Sequence, residues 1–200
     1  MPIQAQPLPC DAAAFAPHLS TEAVERHRAA QQAGIDALNA MLGEDGGDPA
    51  APPDLAGLAR ESSGALAAHA AQAWAEDFYW STLRRPNGDG VPEPRGPMAD
   101  AVAQAFGEAR RMHERFAEAA ARLSGPGWVW LVQRPDGRLA ILATPGAITP
   151  LTGTDTPLLA CCLWPHAIPA DQDDPRQRSL AALWALLDWH VVAARMRQPA

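Results

Sequence analysis

The apolar positions of this chain change rhythm once, near residue 127, and that change divides the fold. Ser20 suits a helix N-cap, and Glu22 in the next turn complements the helix dipole. From there Val24, His27, Gln31, Ile35, Leu38 and Leu42 recur by threes and fours, which predicts a helix to about residue 42 with this stripe facing inward. Residues 43–54, GEDGGDPAAPPD, read as a loop. A second helical pattern runs from 55 to 83 with an interruption near 62–64; its later stripe is His69, Gln72 or Ala73, Glu76, Trp80 and Leu83. Four prolines and three glycines crowd residues 84–97, RRPNGDGVPEPRGP, the composition of a linker between two units.

Helices are expected near 98–105 and 108–123. Beyond them WVWLVQ, the turn RPDG and RLAILAT predict a β-hairpin, and TPLLACCLW a further strand. A polar loop over 169–177 leads to a last helix from 179 to about 196, which buries Leu180, Leu183, Trp184, Leu187 and Val191. Helices followed by a small sheet with flanking helices make an α+β architecture. The expected units are an N-terminal α-helical hairpin, 1–88, and a C-terminal unit, 96–200, built on a three-stranded antiparallel sheet. No internal repeat is visible.

Composition narrows the function classes. Hydrophobic residues make up 48% of 200, enough for a sizeable core, yet no run of about eighteen apolar residues occurs to span a membrane. The opening MPIQAQPLPC has neither the basic nor the apolar region of a signal peptide, so a cytoplasmic protein is expected. A formal net charge of -7 without a basic cluster gives no footprint for nucleic acid. Cys10, Cys161 and Cys162, an odd count with an adjacent pair, form a poor disulfide framework and read as reduced thiols.

Five segments carry a family resemblance: LPCDAAAFAPHLSTEAVERH, AAQAWAEDFYW, GPGWVWLVQRPDGRLAILAT, TPLTGTDTPLLACCLWPHA and WALLDWHVV, in order from about residue 8 to 192. Together they resemble the iron/manganese superoxide dismutases, more closely the iron-type branch. The resemblance implies one iron or manganese ion between the two units and superoxide as substrate. In that family the hairpin gives two histidines, and the second unit gives an aspartate and a histidine four residues apart. His27 stands at the first histidine and His166 at the last, while Glu76 replaces the second histidine and Cys162 the aspartate. Gln72 matches the iron-type glutamine, whose amide orients solvent at the metal and so takes the catalytic role. Gln31 and Ile35 replace the gateway histidine and tyrosine. Trp128, Trp130 and Trp164 match aromatics packed around the site, whereas Ile168 and Pro169 stand where aromatics follow the last histidine. Pro165 replaces a glutamate that bridges to the partner subunit, so the implied homodimer would lack that bridge.

All four residues at the ligand positions are metal-competent, whereas a decayed site in this alanine-rich chain would more often carry Ala or Leu. With Cys162 as a thiolate the set suits zinc or copper as well as iron. A thiolate on a redox-cycling ion near peroxide is open to oxidation. Dismutase activity is therefore expected to be weak or absent. Each residue also has an ordinary reading. His27 on an apolar stripe reads as a hydrogen-bonded core histidine, and Glu76 as its ion-pair partner without metal. Cys161 and Cys162 read as small apolar residues of a strand, and the tryptophans as core. On that reading the chain is a metal-free pseudoenzyme serving protein contact. His18, His69, His113 and His190 read as structural, although His69 lies two turns before Glu76 on roughly the same helix face.

Overall fold

The structure is a computed structural model that describes residues 2–43, 54–86, 88, 90–167 and 174–197. Helix α1, Thr21–Leu42, starts where the Ser20 hydroxyl accepts from the Ala23 amide, and it buries the predicted stripe from Val24 through His27, Gln31 and Ile35 to Leu38. The second helical pattern is two helices, α2, Leu55–Glu61, and α3, Gly64–Trp80, parted where Ser62 and Ser63 adopt extended backbone. Apart from its ends, the loop expected over 43–54 lies outside the described residues.

Helix α3 stops before residue 83, the expected end, because the next residues pair elsewhere. Leu83 bridges Leu187, the Asp188 amide donates to the Thr82 carbonyl at 2.8 Å, and the Arg84 amide donates to the Leu186 carbonyl at 2.7 Å. The start of the linker is thus pinned to the C-terminal region. Burial on α3 is also wider than one stripe: Ala70, Ala71, Ala73, Ala75, Glu76, Tyr79 and Trp80 are all buried. Helices α1 and α2 cover one side of α3 and strand β3 covers another, and the alanines let these neighbours approach closely.

Helices α4, Pro97–Phe106, and α5, Ala109–Arg122, precede the sheet. Strands β1, Gly127–Gln133, β2, Leu139–Pro145, and β3, Thr156–Cys162, form an antiparallel sheet in the order β2-β1-β3, with Trp128 opposite Cys162. The central strand β1 is buried at every position. Its first residue must lack a side chain, since a Cβ on Gly127 would lie 2.2 Å from the Thr144 carbonyl oxygen.

The single final helix predicted from 179 is instead two. Helix α6, Pro175–Leu186, begins earlier because Asp174 caps it by accepting from the Gln177 amide, and Pro175 suits the first turn. The expected polar loop therefore ends before 175; its residues 169–173 lie outside the described residues. Asp188 then accepts from the His190 amide and starts α7, Trp189–Ala194. The break resets the helical phase, so Val192 is fully buried and the predicted Val191 only half-buried.

One large core joins Phe15, Val24, Tyr79 and Trp80 of the helical region to Trp128, Trp130 and Leu183. A smaller cluster holds Ile3, Ile35, Leu38, Ala70 and Ala73. Among the described residues no helix is long and apolar enough to cross a membrane.

Candidate metal centre

The end of β3 builds half of the site. The Leu163 amide makes a last bond to the Gly127 carbonyl at 2.9 Å, and the chain then turns through Trp164 and Pro165, closed by the Ala167 amide on the Trp164 carbonyl at 2.9 Å. This turn brings His166 back toward Cys162. The Arg26 guanidinium donates to the His166 carbonyl at 3.4 Å and ties the turn to α1. From the helical side, α1 contributes His27 and α3 contributes Glu76. One donor atom from each of His27, Glu76, Cys162 and His166 lies within 4.8 Å of all the others.

The Glu76 carboxylate is the hub of this cluster, and its residue is 1% exposed. Its Oε2 lies 2.5 Å from His27 Nε2 and its Oε1 lies 3.0 Å from His166 Nε2. An ionised carboxylate only accepts, so each Nε2 donates to it. Gln72 Nε2 donates to Oε1 at 2.8 Å, and Trp128 Nε1 donates to Gln72 Oε1 at 3.3 Å, which holds the amide in place. Burial by itself would raise the Glu76 pKa. The neighbouring His27 and the hydrogen bonds from His166 and His27 outweigh it and hold the carboxyl at about 2. The Cys162 thiol is pushed well above its usual range, chiefly by burial and next by the Glu76 charge. Burial likewise raises Cys161 to about 12. Both thiols are free.

The donor set fits an ion after proton loss. Nitrogen, oxygen and sulfur ligands sit about 2.0–2.3 Å from a first-row cation such as zinc, and donors gathered this closely leave one ion within reach of all four. Each imidazole must then present a lone pair at Nε2, and Cys162 must become a thiolate, because metal ligands bind deprotonated.

The other predicted residues are placed as follows. Gln72 directs its amide nitrogen to Glu76, not toward open space. Gln31 accepts from Arg28 Nη1 at 2.6 Å and donates to Asp77 Oδ1 at 2.7 Å. Ile35 is fully buried in the smaller core cluster. Trp128 reaches the cluster through Gln72, Trp164 stacks on His166 at 5.8 Å, and Trp130 donates to Thr144 Oγ1 at 2.9 Å. Pro165 is exposed. Ile168 and Pro169 lie outside the described residues.

Sequence reasoning missed three contributors: Arg28 and Asp77, which clamp Gln31, and Tyr79, whose ring packs on His27 at 5.5 Å. A signal existed for the first two, since Arg28 precedes Gln31 by one helical turn and Asp77 adjoins Glu76. Beside the cluster lies a cavity of about 320 Å³ lined by Gln31, His69, Gln72, Glu76, Trp164 and His166 among others.

The family described as iron/manganese superoxide dismutases, C-terminal domain, matches residues 94–195. The chain is 39% identical over 190 residues to the iron superoxide dismutase of Salmonella typhimurium, an alignment covering 94% of this chain and 95% of that one. It is 38% identical to the iron superoxide dismutase of Escherichia coli over the same shares, and 38% identical to that of Bordetella pertussis over 188 residues. The chain belongs to the iron/manganese superoxide dismutase family. The domain match covers the sheet and its flanking helices, and the relatives extend the likeness over the helical hairpin as well. In a superoxide dismutase family member, the cluster joining these two regions is the candidate metal centre, and a single iron or manganese ion is the family's cofactor.

Proposed function

We propose that His27, Glu76, Cys162 and His166 hold one iron or manganese ion between a helical hairpin of 1–88 and an α/β unit of 96–200, and that this protein dismutes superoxide only weakly. The observation supporting the reading is the convergence of four metal-competent donors within 4.8 Å. When bound, the ion would supply one-electron exchange with superoxide.

The chain's own residues argue for weak turnover. Glu76 is an anion where the family pattern has a neutral histidine, and Cys162 is a soft donor in place of a carboxylate. With both ionised the protein supplies two negative charges, which favours the higher oxidation state and opposes the reducing half of a dismutation cycle. The Gln72 amide, held by Trp128, is committed to Glu76 and is not free to orient solvent. Proton delivery is also weakened: Ile35 offers no proton, and the Gln31 amide is held between Arg28 and Asp77.

A second reading, a metal-free pseudoenzyme used for protein contact, is favoured by one specific feature. Glu76 is already satisfied by three donors, so its buried charge requires no ion. Elemental analysis of purified and reconstituted protein separates the two readings. It should include zinc and copper, which the thiolate also suits. Stoichiometric iron or manganese with low superoxide turnover is the expected result. Absence of any metal after reconstitution would establish the pseudoenzyme instead, and turnover equal to that of the iron superoxide dismutases above would defeat the weak-activity reading.

A further inference from the structure

Helix α1 carries a glycine in its interior, and no packing among the described residues explains it. A glycine there destabilises a helix by about 1 kcal/mol relative to alanine. Such a residue is usually kept because a neighbour approaches too closely for a side chain. At Gly34 the opposite holds: beyond its chain neighbours and its own helix backbone, a Cβ would meet no atom of the described residues within 4 Å. The open space is the cavity of about 320 Å³ between α1 and α3. Ala30 lines it one turn before Gly34, and Ala68 and Ala73 line it from α3. These small residues leave the space open, and Gln31 of α1 with His69, Gln72 and Glu76 of α3 complete its lining.

The size and lining specify an occupant. A dry cavity of about 150 Å³ holds benzene, so this one accommodates one or two fused rings, far more than a diatomic substrate needs. Small apolar walls and the Trp164 indole suit a flat ring. The deep end offers no ready countercharge. No Lys or Arg is among the described lining residues, and both Glu76 oxygens already accept from His27, His166 and Gln72. An anion finds no cation here, and an ammonium group would have to displace existing donors. Two lining groups make no hydrogen bond among the described residues, the buried Trp164 indole N–H and the half-buried His69 ring, and His69 is the more exposed of the two. An imidazole both donates and accepts, as a hydroxyl does. A covering protein surface is the weaker fit. Among the described residues the large exposed hydrophobics are Met41, Val91 and Ile148, and Ile148 alone adjoins a lining residue, Ala147. One isoleucine is far short of the roughly 800 Å² that a stable partner covers.

We propose that this cavity binds an uncharged one- or two-ring organic molecule bearing a hydroxyl, with its ring against Trp164 and the small residues of α1 and α3 and its hydroxyl on His69. The cavity borders the candidate metal centre through Glu76 and His166, but the ligand contacts proposed are those of Trp164, His69 and the small residues, so titrating both metal-stripped and metal-loaded protein separates this proposal from the metal reading.

The test is calorimetric titration of this chain, metal-stripped and metal-loaded, with 2-naphthol, naphthalene, 2-naphthoate and 2-naphthylmethylamine as probes. We expect one 2-naphthol per chain in both forms, with the two charged probes at least tenfold weaker. Gly34→Leu should lower 2-naphthol affinity at least tenfold while keeping or raising Tm, because the side chain fills open space and suits a helix. His69→Ala should weaken 2-naphthol about fivefold and leave naphthalene unchanged. Absent or non-saturable 2-naphthol binding, equal affinity in Gly34→Leu, or preference for a charged probe each overturns the proposal. So does a wild-type dimer that Gly34→Leu dissociates, because a second copy would then be the occupant.

Discussion

Replacing Glu76 by Leu tests whether the carboxylate holds the centre together without help from an ion. The variant keeps similar bulk and removes the acceptor that His27, His166 and Gln72 share. The three donors are not equally stranded. His166 has 21% of its side chain exposed and Gln72 is half-buried, so both can turn to water, whereas His27 is 3% exposed and cannot. Breaking a buried ionic pair costs about 3–5 kcal/mol, and partial rehydration of two donors places this case near the lower end. The depressed acidity of Glu76 gives a consistent figure, because the span from the ordinary 4.5 to about 2 corresponds to roughly 3 kcal/mol. For a chain of this length each kcal/mol lowers Tm by about 2–4 °C, so a drop of about 6–12 °C is expected at pH 7.

Metal-stripped protein is the material to use, so that loss of a ligand does not enter the comparison. A carboxyl whose folded pKa is depressed contributes its stability fully above its unfolded value and loses it as pH falls through the folded value. The wild-type advantage should therefore be constant above about pH 5 and shrink from about 4.5 toward about 2. Urea unfolding of both proteins at pH 7, 5, 4 and 3.5 reads both quantities. A difference under about 1 kcal/mol at pH 7, or one that grows as the solution is acidified, would refute the hub role of Glu76.

Three further outcomes are expected. Glu76→His combined with Cys162→Asp should raise superoxide consumption per bound iron or manganese at least tenfold; an unchanged rate would show that the limit lies outside these two positions. Loading the stripped protein with metal should release protons to a weakly buffered indicator dye, and Cys162→Ser should release about one fewer, because the buried thiol is protonated before binding; equal release would exclude Cys162 as a ligand. His113 stacks on Trp184 at 4.0 Å, and burial lowers its pKa below the ordinary 6.5. The unfolded chain then takes up the proton first, so stability should fall as pH drops through 6.5; His113→Phe should keep the stack and flatten that slope in urea midpoints between pH 7.5 and 5.

The parts legible in the sequence are those where one helix face or one strand decides burial. The α1 stripe was readable because a single side of that helix packs inward. On α3 the alanines are covered on more than one side, and residues of uniform size and polarity give a periodicity argument no contrast. The break between α6 and α7 was hidden because Leu186, Leu187 and Trp189 continue the apolar run across it; the readable sign was Asp188, a capping residue inside a helical pattern. The four candidate ligands were proposed through family resemblance, not spacing, since His27 and His166 lie 49 and 90 residues from Glu76. Sequence reasoning paired Glu76 with one histidine; that it bridges two and also holds Gln72 depends on the turn after β3, which no local pattern predicts.

The central carboxylate sets two demands on the same atoms. Each histidine that donates through Nε2 to Glu76 has no lone pair there for an ion, so loading the centre must break both hydrogen bonds, shift both protons to Nδ1 or to solvent, and ionise a buried thiol. An imidazole in place of Glu76 would impose no such competition, because it would bring its own lone pair and no carboxylate for the other histidines to donate to. Protons and metal therefore compete for this site more directly than for one built on three histidines and an aspartate. The closed form should gain ground over the loaded form as pH falls, with affinity declining at least tenfold per pH unit, the slope that the displaced Cys162 proton alone gives. The same competition is consistent with the weak activity proposed for this set of donors: the hydrogen bonds that satisfy Glu76 are the ones an ion must dismantle to enter.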